Sequence, residues 1–183
     1  MNGKPVPMDR FSYFWIYPEQ MEKKRIGFDL LVFEDANELS QNEQKLLKTA
    51  DEARENAYAP YSNFKVGAAA LLENGEVVIG SNQENASYPA GLCAERVAVF
   101  QAGARFPGVA IKALAISAAS ADHVVDKPAA PCGNCRQSIM EYEQKQQAPI
   151  TLLLKAEKGP IYKCSSMGDI LPLAFNSSFL GDS

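Results

Sequence analysis

The rhythm of apolar and polar positions changes at residue 40, and from there onward the chain keeps regular periods. Ser40-Gln41-Asn42-Glu43 has the S-x-x-E form of a capping box, in which two side chains satisfy each other's free amides. Leu46, Leu47, Ala50, Ala53, Arg54 and Ala57 follow at helical spacing, which predicts a helix running until Pro60 stops it. Apolar runs over 66–72 and 77–79 flank Glu73-Asn74-Gly75-Glu76, and Asn-Gly is a strong hairpin signal. A loop through Tyr88-Pro89-Ala90-Gly91 leads to a predicted helix over 92–104. Residues 111–117 are apolar enough for a buried strand, and Pro131 precedes a predicted helix over 132–142. Strands are predicted over 150–154 and 161–164, joined through Lys158-Gly159-Pro160, with a short helix over 168–171. Helix, hairpin, helix, strand, helix, strand, strand is an α/β order. It predicts a three-layer α/β/α sandwich around a mixed five-stranded sheet.

Residues 1–39 have a different texture and read as an N-terminal extension, with 40–183 the main folded domain. Aromatics there mix with the charged cluster Glu22-Lys23-Lys24-Arg25, and 12–17 and 26–33 are candidate strands.

Composition narrows the class. Of 183 residues, 46% are apolar and 22% charged, the profile of a soluble globular protein. No apolar run approaches the roughly 20 residues that cross a bilayer. Met1 to Arg10 lacks the pattern of a secretory signal, so a cytoplasmic location is expected, with no membrane partner. Four cysteines in such a chain fit metal ligands or free thiols better than disulfides. Lys plus Arg number 18 against 22 Asp plus Glu, a net charge of -4, which disfavours a nucleic-acid partner. A small, nearly neutral substrate fits better.

Pro131-Cys132-Gly133-Asn134-Cys135 and Cys93-Ala94-Glu95 carry the chemistry. Cys132 and Cys135 are three apart and share one helical face, so both can hold one metal. A helix N-terminus favours thiolates through its free amides and dipole. Cys93 adds a third sulfur from a separate segment. Glu95 lies two residues on, about 200° round a regular helix. The motif must therefore sit at the helix entrance, with Cys93 not yet helical. A structural zinc site closes on four protein ligands, whereas a catalytic one leaves a position for water. Three thiolates with a neighbouring carboxylate match the open kind, and hydrolytic zinc chemistry follows. Arg96 could hydrogen-bond a thiolate or make a surface ion pair; spacing alone leaves the two even. A closed site with Cys164 as fourth ligand is the bland alternative, and it leaves Glu95 idle. Cys164 otherwise reads as a small buried hydrophobe, and His123 as a solvated loop residue.

At these residues the chain closely resembles the cytidine deaminase family, in its small zinc-dependent, homotetrameric branch. The resemblance runs from about Ser40 to Phe179 through several motifs in order. They are Tyr61-Ser62-Asn63-Phe64-Lys65-Val66-Gly67-Ala68, Asn82-Gln83-Glu84-Asn85-Ala86-Ser87-Tyr88-Pro89, Cys93-Ala94-Glu95-Arg96, Pro131-Cys132-Gly133-Asn134-Cys135-Arg136-Gln137 and Leu171-Pro172-Leu173-Ala174-Phe175. The site class is zinc on three cysteines with a non-ligand glutamate moving protons.

The resemblance implies one zinc ion per subunit on Cys93, Cys132 and Cys135, and Glu95 as the catalytic group. It implies that Asn82 and Glu84 hold the ribose 3′-hydroxyl, that Phe64 packs on the pyrimidine, and that Ala94 offers backbone groups to the base. Phe175 would close a neighbouring subunit's site in a homotetramer with shared active sites. The implied reaction is hydrolysis of cytidine and deoxycytidine to uridine and deoxyuridine, with release of ammonia, in pyrimidine salvage. Ala130, where the family often has serine, and the N-terminal extension are the departures. Deamination of a modified, blasticidin-type nucleoside is the related alternative, and Asn82 with Glu84, suited to an ordinary ribose, argues against it. A nucleic-acid editor is disfavoured by the acidic balance.

Overall fold

The structure, a computed structural model, describes residues 21–181. Strands β1 (Leu31–Phe33), β2 (Phe64–Leu72), β3 (Val77–Ser81), β4 (Ile111–Ser120), β5 (Thr151–Lys155) and β6 (Ile161–Cys164) form one sheet in the order β1-β6-β5-β4-β2-β3. Helices are α1 (Gln41–Arg54), α2 (Ala94–Arg105), α3 (Gly133–Gln146) and the short α4 (Met167–Ile170). The α/β sandwich expected from the sequence is present, with six strands in the sheet instead of five. The sixth is β1, which pairs antiparallel with β6 from Leu31↔Lys163 to Phe33↔Ile161. Of the predicted strand over 26–33 only these three residues pair, because β6 offers a partner edge just four residues long. The candidate strand over 12–17 lies outside the described residues.

Local signals set most boundaries. Ser40 Oγ accepts the Glu43 amide while the Glu43 carboxylate accepts the Ser40 amide at 3.0 Å, the reciprocal box that starts α1. The helix ends at Arg54, before Pro60. Tyr58 ends it by pairing: its amide donates to Asn82 O at 3.0 Å and its carbonyl accepts from Glu84 at 2.9 Å. Gly75, with φ 88°, closes the hairpin between β2 and β3, a backbone conformation that glycine adopts without steric cost.

Side-chain parity along the strands assigns the layers, since alternate residues point to opposite faces. Ala68, Ala70, Leu72, Leu114, Ile116, Leu152 and Leu154 pack beneath α2 and α3, against Ala94, Ala98, Val99, Ala102 and Ile139. Ala69, Ala113, Ala115 and Leu153 face the other way, against Leu46, Leu47 and Ala50 of α1, with Leu39 closing the edge. The small residues permit close approach. A side chain at Gly67 would run into the backbone of Ala50 and Arg54, and one at Gly80 into Ala94 and Ala98.

Strand direction positions the chemistry. β2 is antiparallel to both β3 and β4, so β3 and β4 run the same way. α2 follows β3 and α3 follows β4, and both helices therefore begin beyond the same end of the sheet. Crossovers between strands of one direction are right-handed as a rule, which puts both helices on one face. Two helix N-termini meet there, outside the carboxyl ends of the strands, where α/β sheets bind ligands.

Candidate active site

Cys93 is the N-cap of α2, extended at φ -73° and ψ 152°, and its carbonyl accepts the Val97 amide at 3.2 Å. Cys132 is the N-cap of α3 in a similar conformation, and Cys135 sits in the first turn. Leaving the helical conformation at Cys93 lets a residue two places on address the same space, as the spacing of the motif requires. The three sulfurs converge. Cys93 Sγ lies 3.8 Å from Cys132 Sγ, and Cys132 Sγ lies 3.5 Å from Cys135 Sγ. All three lie within 4.8 Å of one another.

This donor set fits zinc. Zinc–sulfur bonds of about 2.3 Å at a tetrahedral angle put sulfurs about 3.8 Å apart. Hydrogen bonding from Cys135, aided by Arg96 and Cys132 and opposed by burial, lowers the Cys93 pKa to about 5. Cys135 is driven the other way, first by its bond to Cys93 and then by burial. A divalent ion resolves that conflict by taking all three as thiolates. Cys164 stands apart, fully buried in the core beneath α3, so among the described residues the cluster has three cysteines and no fourth.

Glu95 occupies the first turn of α2 and is only 5% exposed. Burial pushes its carboxyl up; its own backbone amide opposes this and the charge on Cys93 adds to it. Arg96 Nη2 approaches Cys93 Sγ at 4.0 Å, and its buried Nε finds no partner among the described residues. Sulfur is thus the polar group that Arg96 meets.

The cysteine cluster opens into a cleft of about 690 Å³. Cys93, Glu95 and Cys132 form one end, Val66 and Ile116 supply apolar walls, and Phe64, Asn82 and Glu84 line the rest. Tyr61 and Tyr88 meet at the rim with ring centroids 6.0 Å apart.

Asn82 is held by β2: its Oδ1 accepts the Val66 amide at 2.8 Å and its Nδ2 donates to Phe64 O at 2.9 Å. Glu84 is held by the loop before β2. Its Oε2 accepts the Tyr61 amide at 2.8 Å and the Ser62 amide at 3.3 Å, and its Oε1 accepts the Ser62 hydroxyl. That hydroxyl, working against burial and joined by the two amides, keeps the Glu84 carboxyl below its ordinary pKa.

Ala94 and Phe175, both named from sequence as substrate contacts, are not among the residues that line the cleft of their own chain. Ala94 is buried with its backbone against Gly80. Phe175 is 57% exposed, and its ring stacks on Phe179 with centroids 5.6 Å apart. The support that Ser62 gives Glu84 was not read from the sequence, since 22 residues separate them and no local period connects them. The polar group behind the sheet was also missed. There Ser117, fully buried, donates to Asp51 at 2.6 Å and accepts from Arg54 at 2.9 Å, while Lys155 pairs with Asp51. Its one sequence signal is the serine within the apolar run of β4.

Comparison with known proteins agrees with this geometry. A family model of the cytidine and deoxycytidylate deaminase zinc-binding region matches residues 40–148. The cytidine deaminase of Halalkalibacterium halodurans is 40% identical over 141 residues, covering 76% of this chain and 98% of that protein. That of Sporosarcina psychrophila is 39% identical over 140 residues, covering 75% and 93%. Among solved structures, the cytidine deaminase from Burkholderia pseudomallei superposes with a TM-score of 0.63 at 41% identity, covering 75% of this chain and all of that one.

Proposed function

Since the chain belongs to the cytidine and deoxycytidylate deaminase family, we propose that its cleft holds a pyrimidine nucleoside against Glu95. The chain is a zinc-dependent enzyme that hydrolyses cytidine to uridine and ammonia. We extend this to deoxycytidine, and to a place in pyrimidine salvage.

The observation that carries the assignment of roles is the buried Glu95 carboxyl, beside three converging sulfurs without being one of the ligands. When bound by Cys93, Cys132 and Cys135, zinc supplies Lewis acidity and makes a water acidic enough to act as a nucleophile near neutral pH. Glu95 accepts a proton from the attacking water and passes it to N3 of the pyrimidine, which makes C4 the more electrophilic. It takes the second proton of that oxygen and delivers it to the amine at C4, which leaves as ammonia. A carboxyl whose pKa is raised by burial suits both halves of that task, since it must accept and donate in turn. Arg96 offsets thiolate charge at Cys93. Asn82 and Glu84 hold the ribose, and Phe64 packs on the base.

Residues 40–183 contain every one of these groups and form the catalytic unit; 1–39 are an extension that lends β1 to the sheet. Exposed Phe175 and Phe179, stacked outside their own cleft, support a homotetramer in which Phe175 closes a neighbour's site. Four free cysteines support a reducing, cytoplasmic location; among the described residues no helix is long and apolar enough to cross a membrane. The direct test is ultraviolet monitoring of cytidine loss by purified protein, with and without a chelator. Turnover that survives complete removal of zinc would overturn the reading.

A further inference from the structure

Ser62 stands where the cleft's polar wall meets the start of β2. Its Oγ lies 3.1 Å from the Phe64 amide nitrogen and is hydrogen-bonded to Glu84 Oε1. An amide N–H can only donate, so the hydroxyl oxygen accepts from Phe64. An ionised carboxylate can only accept, so the single hydroxyl proton goes to Glu84. Glu84 Oε2 is meanwhile occupied by the amides of Tyr61 and Ser62. The amides of Tyr61, Ser62 and Phe64 and the Ser62 hydroxyl are thus committed, and the remaining acceptor capacity of Oε1 is left to a ligand in the cleft that Glu84 lines.

The loop is shaped for this. Asn63, between Ser62 and Phe64, adopts φ 52°, a left-handed conformation that asparagine tolerates better than most residues. Its Nδ2 is moored to the Asp122 carboxylate at 3.2 and 3.3 Å, and its amide to Ala59 O at 3.1 Å. The turn brings the Ser62 hydroxyl back onto the Phe64 amide and Glu84 together.

We propose that Ser62 is a positioning residue for sugar recognition: it fixes Glu84 as an acceptor-only group and ties that carboxylate to the backbone of Phe64. The inference rests on the reading of Glu84 as the ribose contact. Ser62 lines the same cleft, and the role assigned to it is to hold Glu84 rather than to contact the sugar. A carboxylate with all its local donors committed selects a sugar that brings a free hydroxyl proton. A sugar phosphorylated at that position brings an anion instead and is rejected, so the site takes nucleosides with an unmodified 3′-hydroxyl. A serine acting only as a turn former would affect every substrate alike.

The test uses full-length, zinc-loaded protein and two substrates, cytidine and 3′-deoxycytidine. Ser62→Ala should raise KM for cytidine about tenfold, leave kcat within about twofold, and leave zinc content and the KM for 3′-deoxycytidine unchanged. Ser62→Thr, which keeps the hydroxyl, should restore the native KM. If Ser62→Ala does not fold, Ser62→Cys keeps the volume with a weaker donor and should show the same dependence on the sugar. An equal penalty on both substrates, or none on cytidine, would overturn the proposal. Glu84→Ala separates the two levels of the argument. Loss of sugar discrimination in Glu84→Ala but not in Ser62→Ala refutes the role of Ser62 alone. Native discrimination in Glu84→Ala refutes the ribose reading of Glu84 itself.

Discussion

Cys93 and Cys132 cap different helices 39 residues apart in sequence, and their sulfurs lie 3.8 Å from each other. That closeness follows from β3 and β4 running in one direction, so that the helices after them begin side by side. The metal site is a property of the sheet as much as of its ligands.

Glu95→Gln should fold and keep its zinc, because the carboxyl is no ligand, and should lose turnover by roughly 10²- to 10⁴-fold or more. Its stability should be equal or higher, since an amide carries no charge into a buried position. Zinc per protomer and kcat for cytidine are the measurements. A variant with near-native kcat would remove Glu95 from the proton path.

Cys132→Ala and Cys135→Ala should each lose both zinc and activity, since two thiolates and water make a weak site. Cys164→Ala should keep both and cost about 1 kcal/mol for the small cavity left in the core. Metal analysis after dialysis against a weak chelator separates these outcomes. Release of zinc by Cys164→Ala would revive the closed four-cysteine site.

Glu43 ties α1 to β6 through Lys163, at 2.7 Å. Burial works against its charge, but Lys163 and Ser40 outweigh burial and hold the carboxyl below its ordinary value of 4.5. With a folded pKa below the unfolded one, the native state binds fewer protons. Its contribution is complete above pH 4.5 and is lost as pH falls through the folded value. Glu43→Gln should cost roughly 1 kcal/mol at pH 7, and the gap should close on acidification. Urea midpoints across pH check this, and a gap that stays constant down to pH 3 would clear Glu43 of the effect.

Phe175→Ala should raise KM for cytidine while zinc stays bound, because base–aromatic stacking is worth roughly 1–3 kcal/mol per base. Mixed with excess Glu95→Gln protein under conditions that exchange subunits, it should regain turnover with near-native KM. Such sites would pair an intact Glu95 with a donated Phe175. A native protein that sediments as a monomer with full activity would refute the shared site.

What the sequence revealed, it revealed through short-range rules. The Ser40 box, the Asn-Gly hairpin and the two cysteine turns each act within four residues, and each element formed where those residues placed it. The end of α1 was misread because Tyr58 is claimed by Asn82 and Glu84, partners more than twenty residues away that no local period announces. β1 escaped the strand count for a similar reason, since its place depends on an edge supplied by β6. Asp51 with Ser117 and Lys155 likewise joins positions 66 and 104 residues apart. Polar pairs of that range are written in the topology, and a linear pattern of charges does not display them. Phe64, Asn82 and Glu84 could be picked out by resemblance, yet that Asn82 spends its amide on the backbone of β2 had to be seen in space.

The arrangement of Cys93 and Cys132 has a consequence for the chain itself. A single ion joining them cinches a loop that contains all of α2 and β4, one of the two central strands of the sheet. Restricting so long a loop removes freedom from the unfolded chain, and a ligand that binds the native state alone raises its stability with the logarithm of its concentration. Zinc is therefore a fastening for the molecule as well as a reagent. Zinc supply and melting temperature should rise together, and a cell short of zinc would hold a protein that is easier to unfold and to degrade.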